Sequence, residues 1–156
     1  MLRAILDFIG TFADKCHHGK EEDVLFPALE RKGMPKQVGP IAVMLAEHDE
    51  GRRYVKSMVE AVERLERGDA AAEKTFAENA RSYVELLAQH IQKEDNILYN
   101  MTDRILNEDE HKPLLDRFEE VEEQRIGRGR HEELHKSIHR VKNELTSRST
   151  KPNAAQ

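Results

Sequence analysis

The spacing of apolar residues along the chain predicts helices almost from the first residue. Apolar side chains recur every three or four positions over 2–29, which is the period of one helix face. The same period predicts a second helix over 40–67 and a third over 70–106. Short connections favour antiparallel neighbours. The pattern therefore predicts an all-α fold, an up-and-down helical bundle.

The pattern is interrupted after the third helix, so the C-terminal part is predicted to be a broken helical arm. A break over 107–113, with Asp109 as the helix cap, precedes a helix to about Gln124, and glycines then separate it from a last helix. We predict a bundle over 1–124, a basic C-terminal helix over 125–148 packing on or extending the bundle, and a disordered tail over 149–156.

Composition limits the partners and the cellular compartment that we expect for such a bundle. The 156 residues carry a net charge of −5, which argues against nucleic-acid binding. Residues 124–151 hold 8 Lys/Arg and 3 Glu, and we interpret this basic stretch as a solvated helix face rather than a site for an acidic partner. A single cysteine, no apolar membrane span and no signal peptide predict a cytoplasmic protein without membrane contact.

One ten-residue segment occurs twice. HHGKEEDVLF at 17–26 aligns without a gap with HIQKEDNILY at 90–99. In both copies a histidine is followed four residues later by a glutamate, and in a helix this spacing places both side chains on one face. The two pairs are His17 with Glu21 and His90 with Glu94.

The two glutamates are predicted to lie on apolar helix faces, where an ionised carboxylate is costly unless a cation or hydrogen bonds compensate it. A metal ion would compensate both, and imidazole nitrogen with carboxylate oxygen suits iron, manganese or zinc. Two copies of the motif indicate two metal ions. His48 stands where its helix otherwise has apolar residues and is the candidate third nitrogen. The alternative is that the repeat reflects shared helix packing.

The chain resembles the hemerythrin-like family, also described as the HHE cation-binding domain. The resemblance rests on HHGKEEDVLFPAL, on AEHDEGRR around His48 and on HIQKEDNILY, and it covers roughly 2–106. It implies a four-helix bundle around two iron ions joined by an oxo or hydroxo bridge. It also implies that the metal ligands are His17, Glu21, His48, His90 and Glu94, and that the small ligand is O2, NO or peroxide.

The chain departs from the family pattern at its N-terminus, because residue 1 already lies in what matches the family's second helix. Truncation, a second subunit or the C-terminal arm could account for the missing wall, and a homodimer is expected. The arm carries histidines four residues apart that could replace a ligand, although we favour a surface stripe: His131, His135 and His139.

Two further residues are candidates for the site. His18 lies about a quarter turn from His17 and could bind metal after a small helix rotation, although its alignment with Ile91 favours His17. Tyr83 is predicted near the pocket and could donate a hydrogen bond to a bound oxygen species, or belong to the core.

The leading hypothesis is a di-iron protein that binds or senses O2 or a related ligand, or handles iron. One alternative is a di-iron peroxidase or catalase-like enzyme. The other is a helical protein-interaction module with a degenerate metal site. Manganese or zinc would also suit the predicted ligands.

Overall fold

The computed structural model describes residues 1–149, and at residues 148 and 149 it describes the backbone alone. This part of the chain is helical without strands, as the apolar spacing predicts. Its elements are α1 (Leu2–Phe8), π1 (Ile9–His18), π2 (Glu21–Leu25), α2 (Phe26–Arg31), α3 (Pro40–Glu66), α4 (Ala72–Lys93), π3 (Glu94–Leu98), α5 (Tyr99–Ile105), α6 (Glu108–Arg125) and α7 (Arg130–Ser149). The all-α bundle expected from the sequence is confirmed.

The elements form four rods joined by short turns. The first rod runs over 2–31, α3 is the second, and the third runs over 72–105, while α6 and α7 make the fourth. Gly39 adopts a positive φ of 76° directly before Pro40, the first residue of α3, and Gly68 adopts 91° after that helix ends. Both conformations favour glycine, so these two residues fix where the second rod begins and ends.

The first and third rods contain π-helical turns that the sequence analysis did not predict. Each rod is α-helical at both ends and widens in the middle, at π1 and π2 in one and at π3 in the other. The two repeated segments supply the matching five-residue π segments, EEDVL and EDNIL. Such insertions are frequent at functional sites, and they change which side chains share a face.

The start of α6 differs from the prediction. Asn107, not Asp109, caps this helix, because its side chain accepts a hydrogen bond from the Glu110 amide while the Glu110 carboxylate accepts one from the Asn107 amide. This reciprocal arrangement is a capping box. The break is consequently shorter than predicted, and Pro113 lies inside the helix.

The C-terminal arm packs along the first rod in the opposite direction. Ion pairs join the two at successive levels: Lys32 with Glu110 at 2.7 Å, Lys20 with Glu122 at 2.6 Å and Asp7 with Arg130 at 2.9 Å. Leu134 and Val141 of α7 are buried. The arm therefore forms a wall of the bundle. The tail predicted over 149–156 lies outside the described residues except for Ser149.

The apolar core has two parts. The cluster near the α2 end contains Phe26, Leu29, Ile41 and Leu98. The cluster near the α1 end contains Leu6, Met58, Val62 and Tyr83. Buried polar residues come between them along the chain, for example His48 between Met44 and Met58. Within residues 1–149, each helix is too short or too polar to cross a bilayer.

We expect Leu134→Ala to destabilise the protein, because Leu134 is 2% exposed against the first rod. Removing a buried leucine side chain costs about 2–5 kcal/mol of unfolding free energy. Leu145→Ala in the same helix is the control, since Leu145 is 44% exposed and a surface change costs within about 0.5 kcal/mol. Urea titration followed by circular dichroism measures both. Equal midpoints for the two variants would show that the arm does not pack on the bundle.

Candidate metal centre

Two carboxylates lie at the middle of the bundle. Glu21 is the first residue of π2 and Glu94 the first residue of π3, so the repeated segments place their glutamates at equivalent positions. Glu21 is 3% exposed and Glu94 is 4% exposed, and an oxygen of one lies within 4.8 Å of an oxygen of the other. Two ionised carboxylates this close in a dry interior repel each other unless positive charge lies between or beside them.

Two buried histidines face these carboxylates. The Nε2 atom of His48 lies 3.2 Å from Oε2 of Glu21, and Nε2 of His90 lies 3.0 Å from Oε1 of Glu94. Their orientation does not complete a hydrogen bond. Among the described residues, Oε2 of Glu21 and both Nε2 atoms are buried without a hydrogen-bond partner. Buried polar atoms are normally paired, and an imidazole nitrogen and a carboxylate oxygen are the donors that a transition metal ion takes. The residues present therefore fit a metal ion.

His17 and His18 approach the carboxylates from different sides. His18 is buried and its ring stacks on that of His48, with centroids 3.8 Å apart. The His17 side chain is 42% exposed, yet its Nε2 lies 3.3 Å from Oε1 of Glu94 and 3.9 Å from Oε2 of Glu21. Both histidines therefore lie near the carboxylates, but only His18 belongs to a group of described side chains close enough to share a metal ion. The alignment had favoured His17. In a regular α-helix adjacent residues point about 100° apart. The alignment assumed this regular geometry and therefore could not predict the wider turns of π1, which change the directions of both side chains.

The electrostatics of the centre favour positive charge. Burial disfavours the charged form of His48, but the carboxylates of Glu21 and Glu22 outweigh it and raise the pKa of His48 to about 9. Burial likewise disfavours ionised Glu94, and the neighbouring His17 and His90 hold the pKa of that carboxyl well below its usual range. A proton on a histidine and a bound cation are alternative sources of the charge that this centre needs.

An outer set of carboxylates holds the far side of the buried histidine rings. Oε1 of Glu22 lies 2.7 Å from Nδ1 of His48, and Oε2 of Glu47 lies 3.0 Å from Nδ1 of His90. The sequence analysis missed Glu47. Glu47 directly precedes His48 in the sequence but contacts His90 on another helix, so only the packing of α3 against α4 reveals it.

Two tyrosines lie at the centre. Tyr99 donates a hydrogen bond to Oε1 of Glu21 at 3.2 Å, and the sequence analysis missed it although it ends the second repeat. Tyr83 is buried and lines a cavity of about 10 Å³ together with His18, His48 and His90. This volume is close to the smallest space that admits one water molecule. Burial, with a smaller contribution from the nearby Asp14, raises the pKa of Tyr83 to about 12.

The histidines of the C-terminal arm lie elsewhere. The rings of His131 and His135 each lie with their centroids 5.1 Å from that of Phe12. The groups of described side chains that are close enough to share a metal ion are His18, His48 and His90, and Glu21, His48, His90 and Glu94. The arm histidines are in neither group. His131 and His135 pack against Phe12.

Cys16, which stands beside the site in sequence, is buried with its Sγ 3.8 Å from Oε2 of Glu122. It faces α6, and burial raises the pKa of its thiol. Cys16 is thus a small buried side chain that contacts α6.

Comparisons with known proteins agree with this geometry. The family model described as the hemerythrin HHE cation binding domain matches residues 2–102. Two uncharacterized proteins of Mycobacterium tuberculosis and one of Mycobacterium bovis are each 25% identical over 119 residues, which is 76% of this chain and 46% of theirs. The chain thus spans about half the length of these curated relatives. No solved structure matches.

We expect Mn²⁺ or anaerobic Fe²⁺ to raise the melting temperature of this protein, and Glu94→Ala to remove most of that rise. A ligand at 100 times its dissociation constant stabilises the native state by about 2.7 kcal/mol, which corresponds to roughly 5–10 °C for a chain of this size. Differential scanning calorimetry with and without metal measures the shift. Asp95→Ala is the control, because Asp95 is the exposed neighbour of Glu94. An equal metal-induced rise in Glu94→Ala and wild type would exclude Glu94 as a ligand.

Proposed function

The chain belongs to the hemerythrin HHE cation-binding family, and on this premise we propose that it is a non-haem di-iron protein that binds or senses O2 or a related small ligand. Among the described residues four buried side-chain atoms lack a hydrogen-bond partner, and three of them carry the proposal: Glu21 Oε2, His48 Nε2 and His90 Nε2. All three belong to a group of donors that lie within 4.8 Å of one another. A bundle that served only protein interaction would have no use for such a group, and burying it unpaired is costly.

The proposed ligands divide into two halves around the carboxylates. In one pair, His48 lies 3.2 Å from Glu21, and His18 stacks on His48. In the other pair, His90 lies 3.0 Å from Glu94, and His17 approaches Glu94 at 3.3 Å. One carboxylate and at least one imidazole are thus available to each of two metal ions. Manganese or zinc would accept the same donors.

Iron bound here would supply a redox-active, Lewis-acidic centre with which O2, NO or peroxide combines. The protein's own contribution is a small space and a hydrogen-bond donor. The cavity beside His18, His48 and His90 is about 10 Å³, the smallest space that admits one water molecule, so a bound ligand would have to be small and the lining side chains would have to move to admit it. The raised pKa of Tyr83 keeps its hydroxyl protonated and able to donate. The buried cluster of Leu6, Met58 and Val62 packs on the same tyrosine and limits the entry of bulk water.

The setting and assembly of the protein are also proposals. A reducing cytoplasm is consistent with a single free, buried cysteine. A homodimer is supported by an apolar groove of about 300 Å³ between α3 and π3, beside the exposed Val43 and Ile97. The sedimentation coefficient at micromolar concentration distinguishes a monomer from a dimer.

The function is tested by loading the metal-free protein with Fe²⁺ under nitrogen and then admitting air. We expect two iron ions per chain and an absorption band that appears with air and disappears when O2 is removed. Steady turnover of added peroxide at an undiminished rate would favour a peroxidase or catalase-like enzyme instead. Protein that retains no iron, manganese or zinc in stoichiometric amount would overturn the proposal in favour of an interaction module.

We expect Tyr83→Phe to weaken the binding of azide, a small anionic probe, to the iron-loaded protein. A hydrogen bond contributes about 0.5–1.5 kcal/mol, so the dissociation constant should rise roughly 2- to 10-fold while the iron content stays the same. Tyr54→Phe is the matched control, because the Tyr54 hydroxyl bonds to Glu50 on its own helix. Optical titration measures both. If Tyr83→Phe binds azide as tightly as Tyr54→Phe does, Tyr83 is a core residue only.

A further inference from the structure

A single arginine contacts both carboxylates that hold the His18 and His48 rings. Arg52 Nε donates to Oδ1 of Asp14 at 2.7 Å, and its Nη2 donates to Oε1 of Glu22 at 2.7 Å. The same Oδ1 of Asp14 lies 3.4 Å from Nδ1 of His18, and the same Oε1 of Glu22 lies 2.7 Å from Nδ1 of His48. Each carboxylate oxygen therefore lies between the guanidinium and one histidine ring.

This arrangement fixes the two rings together. A carboxylate on Nδ1 holds the proton there and leaves Nε2 as the free donor for a metal ion. The guanidinium is planar, with its donors in a rigid fork, so one side chain sets the positions of both carboxylates. Arg52 lies one helical turn after His48 on α3, and it reaches Asp14 on π1 and Glu22 on π2. It thus ties the two π segments of the first rod to the second rod.

The other half of the centre has a different outer contact. Oε2 of Glu47 lies 3.0 Å from Nδ1 of His90, and the second oxygen of Glu47 accepts a hydrogen bond from Lys93. The lysine ammonium is a flexible point donor rather than a fork. The hydrogen bonds and ion pairs described for Lys93 and Arg52 have no acceptor in common.

We propose that Arg52 is a positioning residue for the metal centre, holding His18 and His48 through Asp14 and Glu22, while Lys93 independently holds His90 through Glu47. This inference rests on the proposed function, because it assigns the residues that orient the ligands of the same centre. It also makes the affinities of the two halves separately adjustable. Arg52 itself touches neither Glu21 nor Glu94 in the contacts of the described residues.

The test is a titration of metal-free protein with Fe²⁺ under nitrogen, in competition with a chromogenic chelator. Loss of such an outer partner weakens metal binding about 10- to 100-fold, and we expect the Fe²⁺ affinity of Arg52→Gln to fall by this factor. The Fe²⁺ affinity of Arg52→Lys should be nearly as low, because an ammonium group cannot hold both carboxylates as the guanidinium fork does. Arg53→Gln is the matched control, since Arg53 is the exposed next residue, and it should bind as wild type does.

Double variants separate positioning from general damage. The double variant Arg52→Gln, Glu22→Gln should bind Fe²⁺ no more weakly than the more severe of the two single variants, because Arg52 and Glu22 act on His48 through the same chain of contacts. Arg52→Gln combined with Lys93→Gln should show the product of the two single effects, because additive free energies mark independent sites. The melting temperature and helix content of the metal-free variants are measured alongside.

The outcomes distinguish the two proposals. Wild-type protein that fails to bind iron in this titration would overturn the proposed function. Wild-type protein that binds iron while Arg52→Gln binds it equally well would overturn the positioning role alone. Arg52→Gln with lost helix content in the metal-free state, or additive effects for Arg52 with Glu22, would also overturn that role.

Discussion

The structure depends on the burial of two facing carboxylates, Glu21 and Glu94, which are 3% and 4% exposed. Moving an unpaired carboxylate into a protein interior costs several kcal/mol even after relaxation. Histidines from three rods surround the pair, so positive charge can come either from their protons or from a bound cation. The raised pKa of His48 and the lowered pKa of Glu94 both reflect the attraction between the carboxylates and positive charge at this centre. Either source of positive charge would stabilise the buried carboxylates.

The π-helical turns explain how one rod can present so many polar side chains to one point. A regular α-helix with His17 facing inward would turn His18 about 100° away. The wider turns of π1 bring the His18 ring onto His48, while Nε2 of His17 still reaches Glu94. Because Glu21 and Glu94 each open a five-residue π segment, the local geometry is repeated along with the sequence. The apolar clusters at either end of the centre hold these irregular turns in place.

The sequence predicted what depends on local pattern. Apolar spacing was enough for the all-α bundle. The repeat and the out-of-place His48 selected Glu21, His48, His90 and Glu94, whose donor atoms lie close together, but they did not distinguish His17, which is outside this group, from His18. The contacts of Glu47 with His90 and of Arg52 with Asp14 depend on how two helices are aligned across a packed interface, which a single sequence does not encode locally. The cap at Asn107 was missed because Asp109 and Asn107 are both good caps, and the reciprocal bond with Glu110 decides between them.

The internal repeat places its two histidines in unequal surroundings. His90 is buried and held by Glu47, whereas His17 in the equivalent position has a side chain that is 42% exposed. The small cavity beside Tyr83 adjoins His18, His48 and His90, on the buried side. The function proposed above requires at least one metal position that is free of protein ligands, as in metal sites that bind exogenous ligands. A duplicated motif in unequal surroundings is one way to leave such a position.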